Sequence, residues 1–492
     1  MTNLDQQISQ TLKKVADELE QPAFVMPGVA TSTKRVKKRS RFLLAFCIPA
    51  SFAMILFLTV SLGTYVSPTF AAYLKSFFVG ADLDLGLQTA AEKGFSQRTS
   101  ASATDQGITW EVKEIIADPV RIVIMYVLKD QQGKVISPDQ LLFYRVQLAD
   151  RDGKPVQEFK SSGGRSWNDQ YGYITVEGNL ETREQNLALQ VGASKIGTTA
   201  GNWSMSIPFD ISKAAAATKT IPLLETYTTP QGLQITINRI IHSPTASRLD
   251  YETAWTDDAK KKLESESSQL IGKTRNPGYA PFVPYQEYQL EYHIENAKGE
   301  VVSDYSQGVS FKREGKDRYG HFSWQDSYVP FSADDSYTMV LHAVNKAEPF
   351  ELNLPFEPKQ LGNKSASAEK NDNQFQVTSL LIEKGVRNEE IPVITIDAYL
   401  TDISYINSSW WVLTDETGKA YEINGFGWET VGRDERGRDH VKIKLESEEM
   451  KLNQEKFVLR IHAAQKRYTD VNWRVPLPTS AVEVQPANQS PK

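Results

Sequence analysis

Cysteine is almost absent from this chain of 492 residues, and the only one, Cys47, lies inside a long apolar run. The residues after this run therefore have no disulfide and no thiol chemistry, so large hydrophobic cores must stabilise them. A disulfide-free body favours a Gram-positive bacterium over a eukaryotic secretory route. Charge is also absent from residues 42–66, over 25 consecutive positions.

Motifs that carry catalysis are missing as well. The sequence has no Gly-rich phosphate loop, no zinc-ligand spacing and no nucleophile elbow. Residues Asp150 to Gly153 begin like a calcium loop but lack its distal Glu, so they indicate a hairpin turn. No pair of histidines has ligand spacing; the six are His242, His293, His321, His342, His440 and His462. We therefore predict that the protein is not an enzyme and binds no metal or cofactor.

The uncharged run at residues 42–66 is long enough to cross a bilayer, which takes about 20 helical residues. A basic cluster directly precedes it and is expected to stay in the cytoplasm; its members are Lys34, Arg35, Lys37, Lys38, Arg39 and Arg41. The sequence predicts a single-pass protein of the cell membrane with a cytoplasmic N-terminus and an extracellular C-terminal body. Three alternatives are a cleaved signal peptide, a lipoprotein anchored at Cys47 and a buried helix of a soluble domain.

Charge differs on the two sides of this run. Residues 1–41 hold 8 basic and 4 acidic side chains, net +4, whereas the residues beyond hold 47 and 57, net −10. An acidic body argues against nucleic acid as a partner.

Apolar residues in the N-terminal tail, residues 1–33, recur every three or four positions. They form one stripe of an amphipathic helix: Leu4, Ile8, Leu12, Val15 and Leu19. A helix this short cannot bury its stripe by itself. The stripe needs a protein partner, a second copy of itself or the inner membrane surface.

Beyond Lys75 the sequence is strand-like and repeats three times. The segment that begins at Gln106 returns at Gln231, and a weaker copy begins at Gln374. In each copy an alternating strand leads to paired aliphatic residues, and a turn rich in Asp, Asn and Gly follows later. Each copy closes on an alternating strand that contains proline, at residues 203–209, 350–356 and 473–477.

Alternation of apolar and polar residues leaves one face of each strand buried. The pattern predicts a mainly β fold in which three tandem immunoglobulin-like β-sandwich domains follow the single transmembrane helix. The predicted segments are a tail at 1–33, a basic cluster at 34–41, a transmembrane helix at 42–66, a juxtamembrane helical region at 67–104, sandwiches at 105–218, 229–358 and 374–481, a linker at 359–373, and a disordered tail at 482–492. The juxtamembrane region is either a coupling element or a stalk packed on the first sandwich.

A string of motifs in order resembles a known family. The basic cluster and the apolar run precede Gly86-Leu87-Gln88-Thr89-Ala90-Ala91-Glu92-Lys93-Gly94, and the first repeat follows. This string resembles the bacterial membrane domains filed as domain of unknown function 4179. Residues 231–356 resemble the immunoglobulin-like domain of unknown function 5643 that often follows. Such proteins are often described as anti-sigma-factor-like, so the resemblance implies a membrane regulator whose tail holds an extracytoplasmic-function sigma factor.

Two functions compete. In the first, the apolar stripe binds a cytoplasmic sigma factor, and a change or cleavage near residues 67–104 alters its release when the body senses the envelope. In the second, the sandwiches bind cell-wall polymers or act structurally, and the tail has no signalling role. A carbohydrate platform in the second function would draw on Trp410, Trp411, Trp428 and Tyr421, residue types that sandwich cores also use.

Overall fold

The computed structural model describes residues 85–150, 152–158, 162–166, 168–177, 180, 186–270, 288–304, 309–313, 321–361, 366–385, 389–450, 452 and 454–479. All of them belong to one compact unit, Lys75–Lys492. They form a mainly β structure, as the sequence predicts. The predicted membrane span lies outside these residues, and among them no helix has both the length and the apolarity to cross a membrane.

The described part of residues 85–217 contains two short α-helices and two antiparallel sheets. In chain order the elements are α1 (Leu85–Glu92), β1 (Ser96–Arg98), β2 (Ser102–Asp105), β3 (Ile108–Ala117), β4 (Arg121–Lys129), β5 (Val135–Ile136), β6 (Phe143–Asp150), β7 (Pro155–Glu158), β8 (Ser162–Ser166), β9 (Gly172–Glu177), β10 (Asn186–Ile196), β11 (Thr199–Asp210) and α2 (Ser212–Ala217). The seven-stranded sheet has the order β1-β3-β4-β9-β8, with β2 beside β3 and β5 beside β4. The four-stranded sheet has the order β11-β10-β6-β7. Both sheets contribute to a first core, which includes Trp110, Ile124, Leu189 and Trp203.

The described part of residues 219–361 contains eight strands and a longer helix. These elements are β12 (Lys219–Thr228), β13 (Leu233–His242), β14 (Ser247–Trp255), α3 (Asp257–Leu270), β15 (Tyr288–Asn296), β16 (Val301–Asp304), β17 (Val309–Arg313), β18 (Phe322–Tyr328) and β19 (Tyr337–Phe356). A five-stranded sheet has the order β12-β13-β14-β18-β17. It shares a second core with β15 and the first half of β19, which includes Ile235, Tyr251, Tyr292 and Leu341.

Residues 366–479 supply the remaining strands. These are β20 (Ala366–Lys370), β21 (Asn373–Lys384), β22 (Glu390–Leu400), β23 (Ile403–Tyr405), β24 (Trp411–Asp415), β25 (Ala420–Tyr421), β26 (Gly425–Arg433), β27 (Asp439–Glu446), β28 (Phe457–Tyr468) and β29 (Trp473–Leu477). A second five-stranded sheet has the order β20-β21-β22-β27-β26 and packs around a third core, which includes Leu354, Phe375, Ile396 and Leu413. An eight-stranded sheet, β16-β15-β19-β28-β24-β25 with β23 on β28 and β29 on β19, connects the second core to the third.

The closing strands of the second and third copies are exchanged. In the first copy, β10 and β11 form a simple hairpin with Gly197 in its turn at φ +57°. By contrast, β19 runs for 20 residues without turning. Its first part pairs with β29, the last strand of the described chain, and its second part pairs with β28.

Two predictions about these strands are therefore wrong. The strand at 350–356, assigned to the end of the second copy, places Leu352 and Leu354 in the third core. The strand at 473–477, assigned to the end of the third copy, places Val475 and Leu477 in the second core. Alternation shows which residues form strands, but it does not show which of two possible partner strands each of them pairs with.

The segments between the predicted sandwiches, which were identified from composition, also contain regular secondary structure. The predicted linker at 359–373 includes β20, whose Ala366 and Ala368 pack against the third core. Residues 219–228, between the first two predicted sandwiches, form β12 on β13. The Ala, Ser and Lys content favours a linker, but burial of the small side chains that alternate along β20 outweighs it.

A bulge recurs at one position of all three copies, which confirms their structural equivalence in this strand. The shift in register occurs between Val112 and Glu114 in β3, between Ile237 and Arg239 in β13, and between Val377 and Ser379 in β21. Bulges of this kind bend and twist a strand.

The first and second copies meet through the turns that follow β3 and β13, at residues 118–120 and 243–246; we call each such turn a head. The Asp118 carboxylate accepts hydrogen bonds from the N–H and Oγ1 of Thr245 at 2.9 and 2.6 Å. Arg121 donates to the carbonyl of Thr245 at 2.6 Å. Asp118 and Thr245 are fully buried, so these contacts hold the two copies in a fixed relation.

Helix α3 fastens the second copy to the third. Leu263 lies in the second core, and Leu270, two turns later, lies in the third core. Between them, the carboxylate of Glu266 binds the ammonium of Lys346 at 2.8 Å. One helix therefore spans the place where β19 passes between the cores.

Candidate functional site

Helix α1 packs on the outer face of the seven-stranded sheet. Its buried side chains are three and four residues apart and therefore share one face of the helix. The contact joins Leu87, Ala90 and Ala91 of the helix to Ile116, Val123 and Met125 of the sheet. The two alanines let the helix backbone approach the strands closely, and burial of Leu87 contributes about 2 kcal/mol.

A glycine ends this helix and directs the chain into the sheet. Gly94 has φ +73°, its N–H donates to Ala91 O, and Phe95 N–H donates to Ala90 O, both at 2.9 Å. This pair of bonds is a Schellman motif, in which the residue after the glycine packs back onto the helix. Phe95 packs against the helix and sheet in this way.

Lys213 of α2 binds the same helix end. Its Nζ donates to the carbonyl oxygens of Lys93 and Gly94 at 3.0 and 2.8 Å, and it lies 4.6 Å from the centre of the Phe95 ring. A cation here interacts favourably with the unsatisfied carbonyls and the negative end of the helix dipole. The helix is thus held by apolar contacts along one face and by Lys213 at its C-terminus.

We expect Gly94→Ala to weaken this docking by about 1 kcal/mol, because an L-residue is strained at positive φ. Hydrogen exchange of residues 85–95 should then become faster. Gly133→Ala is the matched control: Gly133 has φ +77°, and an added Cβ there meets no atom within 4 Å. Equal acceleration of residues 85–95 in both variants would contradict the assignment.

A cavity of about 220 Å³ adjoins the docked helix end. Its lining residues are Gly94, Phe95, Gln97, Ala117, Asp210, Lys213 and Ala214. The Gln97 side chain is bonded on both sides to the backbone of Asp210, at 2.7 and 3.0 Å. Hydrogen bonds from Ser212 lower the pKa of the Asp210 carboxyl, so the cavity carries a carboxylate beside the Lys213 ammonium.

The polar groups of this cavity suit the binding of a polar ligand. Its polar groups are one carboxylate, one ammonium and one amide, and Lys213 already binds two carbonyl oxygens. A polar ligand in the cavity would compete for Lys213 and so act on the helix end. Within the described part of the chain, no group of three or more His, Cys, Asp or Glu side chains is placed to hold a metal ion.

The predicted partner-binding stripe and the basic cluster lie outside the described residues, as does the first predicted helical piece of the juxtamembrane region, 71–78. The second helical piece forms α1, as predicted. The turn at Asp150 is also confirmed, since its Oδ1 accepts from the N–H groups of Asp152 and Lys154 at 3.0 and 2.8 Å.

Three of the four aromatic residues considered for a carbohydrate platform are in the third core. Trp410, Trp411 and Tyr421 are almost fully buried, whereas Trp428 is half-buried beside Tyr405 and Phe426. The core explanation holds for these three, so a platform built from the four together does not form.

Sequence reasoning missed Lys213 as a site residue. It lies about 120 positions after the helix it binds, within an Ala-rich segment interpreted as a joint. The available signal is the helix stop at Gly94, which leaves carbonyl oxygens in need of a donor. That signal predicts a cation but does not say which one.

Comparison with known proteins gives one family match. Residues 38–130 match the family described as Domain of unknown function (DUF4179). The matched segment contains the apolar run, helix α1 and the strands on which α1 packs. No curated protein matches the chain. Among solved structures, the conserved domain protein from Bacillus anthracis is similar at a TM-score of 0.35 and 13% identity, over 52% of this chain and 82% of that one.

Proposed function

We propose that this chain is a single-pass membrane regulator, anti-sigma-factor-like, whose cytoplasmic helix holds a sigma factor and whose outer body senses the state of the envelope. The body comprises three immunoglobulin-like domains, one around each core. The apolar run at 42–66 crosses the membrane with its N-terminus inside, as the basic cluster before it favours.

The docking of α1 is the observation that supports this proposal. The helix begins 19 residues after the apolar run and is held on the first core's sheet by buried side chains and by Lys213. A segment that leaves the membrane and then packs on a folded body passes movement of that body to the membrane span. A free stalk would absorb the movement.

The cavity beside α1 gives the proposal a place where a signal acts. An occupant that draws Lys213 away removes the cation from the carbonyls of Lys93 and Gly94. The apolar contact alone then holds the helix. Release of α1 changes how the span is constrained and, through it, how the tail presents its stripe.

The first experiment tests the stripe in the full-length chain. Leu12→Asp with Val15→Asp puts two charges on the apolar stripe and should abolish co-purification of a sigma factor from membranes of the source bacterium. Gln6→Asp with Gln10→Asp is the matched control, because it adds the same charges on the opposite face of the helix. Equal capture by all three proteins, or no sigma factor with the unaltered chain, would refute the regulator.

A second candidate function is a cell-envelope binding or structural protein without signalling. The buried Asp118–Thr245 joint and the exchanged strands favour it, since both make the body rigid. Sedimentation of the full-length chain with insoluble cell wall separates the two: strong binding that is indifferent to Leu12→Asp with Val15→Asp, together with an empty sigma-factor capture, supports this second function.

A further inference from the structure

Among the described residues, strand β21 has a free edge after its bulge, where the matching strands of the other two copies have a neighbour. β1 pairs with β3 at residues 114–116, and β12 pairs with β13 at residues 239–242. In the third copy, β20 begins at Ala366, which pairs with Val377, and residues 362–365 before it lie outside the described part of the chain. Among the described residues, no strand lies beside Ser379–Lys384 on the side away from β22.

An apolar position that is covered in two copies is exposed in the third. Ile116, Ile241 and Leu381 occupy the same place after the bulge. Ile116 is covered by α1 and Ile241 by Val120 of the first head. Leu381 is 60% exposed, and its neighbour Ile382 is 50% exposed.

The backbone at this edge is arranged for further pairing. Gly385 N–H donates to Glu389 O at 2.9 Å, and β21 then pairs with β22 without a break as far as the bulge. Because bonding groups alternate along antiparallel strands, the N–H and C=O of Leu380, Ile382 and Lys384 point to the free side. A bare edge with apolar side chains is a template for another strand.

We propose that this edge is a dimer interface, at which two copies of the chain pair their Ser379–Lys384 strands antiparallel around a two-fold axis at Leu381. Within one chain, the three repeats are joined through equivalent elements. The heads of the first and second repeats meet, and the second and third repeats exchange their closing strands. Among the described residues, the edge at Ser379–Lys384 is joined to no other repeat in this way. A second molecule of this chain supplies the pairing strand. A two-fold contact of this kind is complete with two molecules.

The side chains at this edge fit the symmetric register. In this pairing, Leu381 lies opposite Leu381 of the other molecule. Ile382 lies opposite Leu380 of the other molecule, and Glu383 lies opposite its Ser379. Apolar groups then meet apolar groups, and no like charges are directly opposed. The Glu383 carboxylate is already bound by Lys444 at 2.8 Å within its own chain.

Disulfide trapping in the full-length chain tests this register. Cys47→Ala removes the only native cysteine, and Leu381→Cys places one cysteine on the two-fold axis. Opposed residues of a non-hydrogen-bonded pair have Cα atoms about 4.5 Å apart, within the range that a disulfide spans. Oxidation in membranes should therefore convert Leu381→Cys to a species of twice the chain's mass. Val301→Cys is the control, because Val301 is an apolar strand residue with a matching exposure of 61%.

Ile382→Pro makes the test specific for strand pairing. Proline at this position removes a donor that points to the free edge and leaves the bonds between β21 and β22 in place. Added to Leu381→Cys, it should abolish the cross-linked dimer while the purified chain keeps the unfolding temperature of Leu381→Cys alone. Cross-linking of Leu381→Cys no greater than that of Val301→Cys would overturn the proposal, as would a dimer that is indifferent to the proline.

Discussion

Lys346→Met is expected to destabilise the connection between the second and third cores by about 3 kcal/mol, because removal of one partner leaves buried charge uncompensated. Lys346 is 2% exposed and lies where β19 passes from one core to the next. Its Nζ binds Glu266 at 2.8 Å and Glu348 at 2.9 Å. Without the ammonium, the two carboxylates face each other with little solvent between them.

The pH dependence of this variant follows from Glu348. Burial opposes ionisation of Glu348, but the charge of Lys346 and the hydroxyl of Tyr468 hold its pKa below the usual value. A carboxyl with a lowered pKa stabilises the fold above its unfolded pKa, and this contribution disappears as the pH falls. Without Lys346 the buried carboxyl takes up its proton at a higher pH than in the unaltered chain, so the deficit of Lys346→Met should be full at pH 7 and shrink as the pH falls through the range in which this proton binds.

Urea unfolding and hydrogen exchange measure the effect. Exchange of β19, β28 and β29 should accelerate together, since they share the crossing. Lys466→Met is the control: Lys466 lies next to the crossing but is 39% exposed in its pair with Asp402, so a change below about 1 kcal/mol is expected. Adding Glu266→Gln to Lys346→Met should restore part of the loss. A Lys346→Met protein as stable as Lys466→Met would show that the crossing does not depend on this ion cluster.

The repeated strands could be predicted from sequence because their pattern is local. Trp110, Ile235 and Phe375 occupy one position of the repeat, and each side chain is fully buried in its core. Alternation fixes which face of a strand is buried. It predicts neither the bulge after this position nor the packing of α1, which depend on contacts between strands and a helix.

The strand exchange could not be predicted, because hairpin partners are a non-local choice. The first copy has a glycine, Gly197, in the turn of its hairpin, whereas β19 contains no glycine between Tyr337 and Phe356. This absence of glycine is the feature of the sequence that agrees with the exchange. The buried carboxylate that binds Lys346, Glu266, lies on α3, 80 positions earlier, and no periodicity identifies it.

The candidate site was predictable in part. The spacing of Leu87, Ala90 and Ala91 indicates a helix with one buried face, and that helix exists. Its receiving surface was not predictable, since Ile116, Val123 and Met125 look like further alternation of strand residues. A side chain on the outer face of a sheet is buried only if another element covers it, and that is a property of the tertiary fold.

Asp326→Asn is expected to stabilise the second core at pH 7 and above, against the usual direction of a buried substitution. Asp326 is 2% exposed and faces three tyrosines from three strands. Tyr251 donates to its Oδ2 at 3.0 Å, and Tyr292 donates to the same oxygen and also bonds Tyr328. Oδ1 has no hydrogen-bond partner among the described residues. The charged carboxylate is therefore only partly compensated.

The sign of the effect follows from the pKa of Asp326. Burial, followed by the charges of Glu177 and Asp250, raises this pKa to about 6, although the two tyrosine hydrogen bonds act to lower it. The folded protein thus binds a proton that the unfolded chain has lost between roughly pH 4 and 6, so the native carboxylate costs stability as the pH rises through this window. The full cost above pH 6 is about 3 kcal/mol, since each unit of pKa corresponds to about 1.4 kcal/mol.

Urea midpoints of the unaltered chain and of Asp326→Asn, taken from pH 4 to pH 8, measure this cost as a difference curve. Asn is neutral throughout, so the curve should be near zero or slightly negative at pH 4 and rise to its plateau above pH 6. Burial lowers the pKa of His242, which makes acid destabilise both proteins, but this contribution cancels in the difference. Asp415→Asn is the control of opposite sign: hydrogen bonds from Thr417 and Tyr421 lower the pKa of Asp415 to about 2, so its loss should destabilise the fold at neutral pH. A flat curve for Asp326→Asn would mean that the tyrosine hydroxyls compensate the carboxylate fully and that the second core is indifferent to its charge.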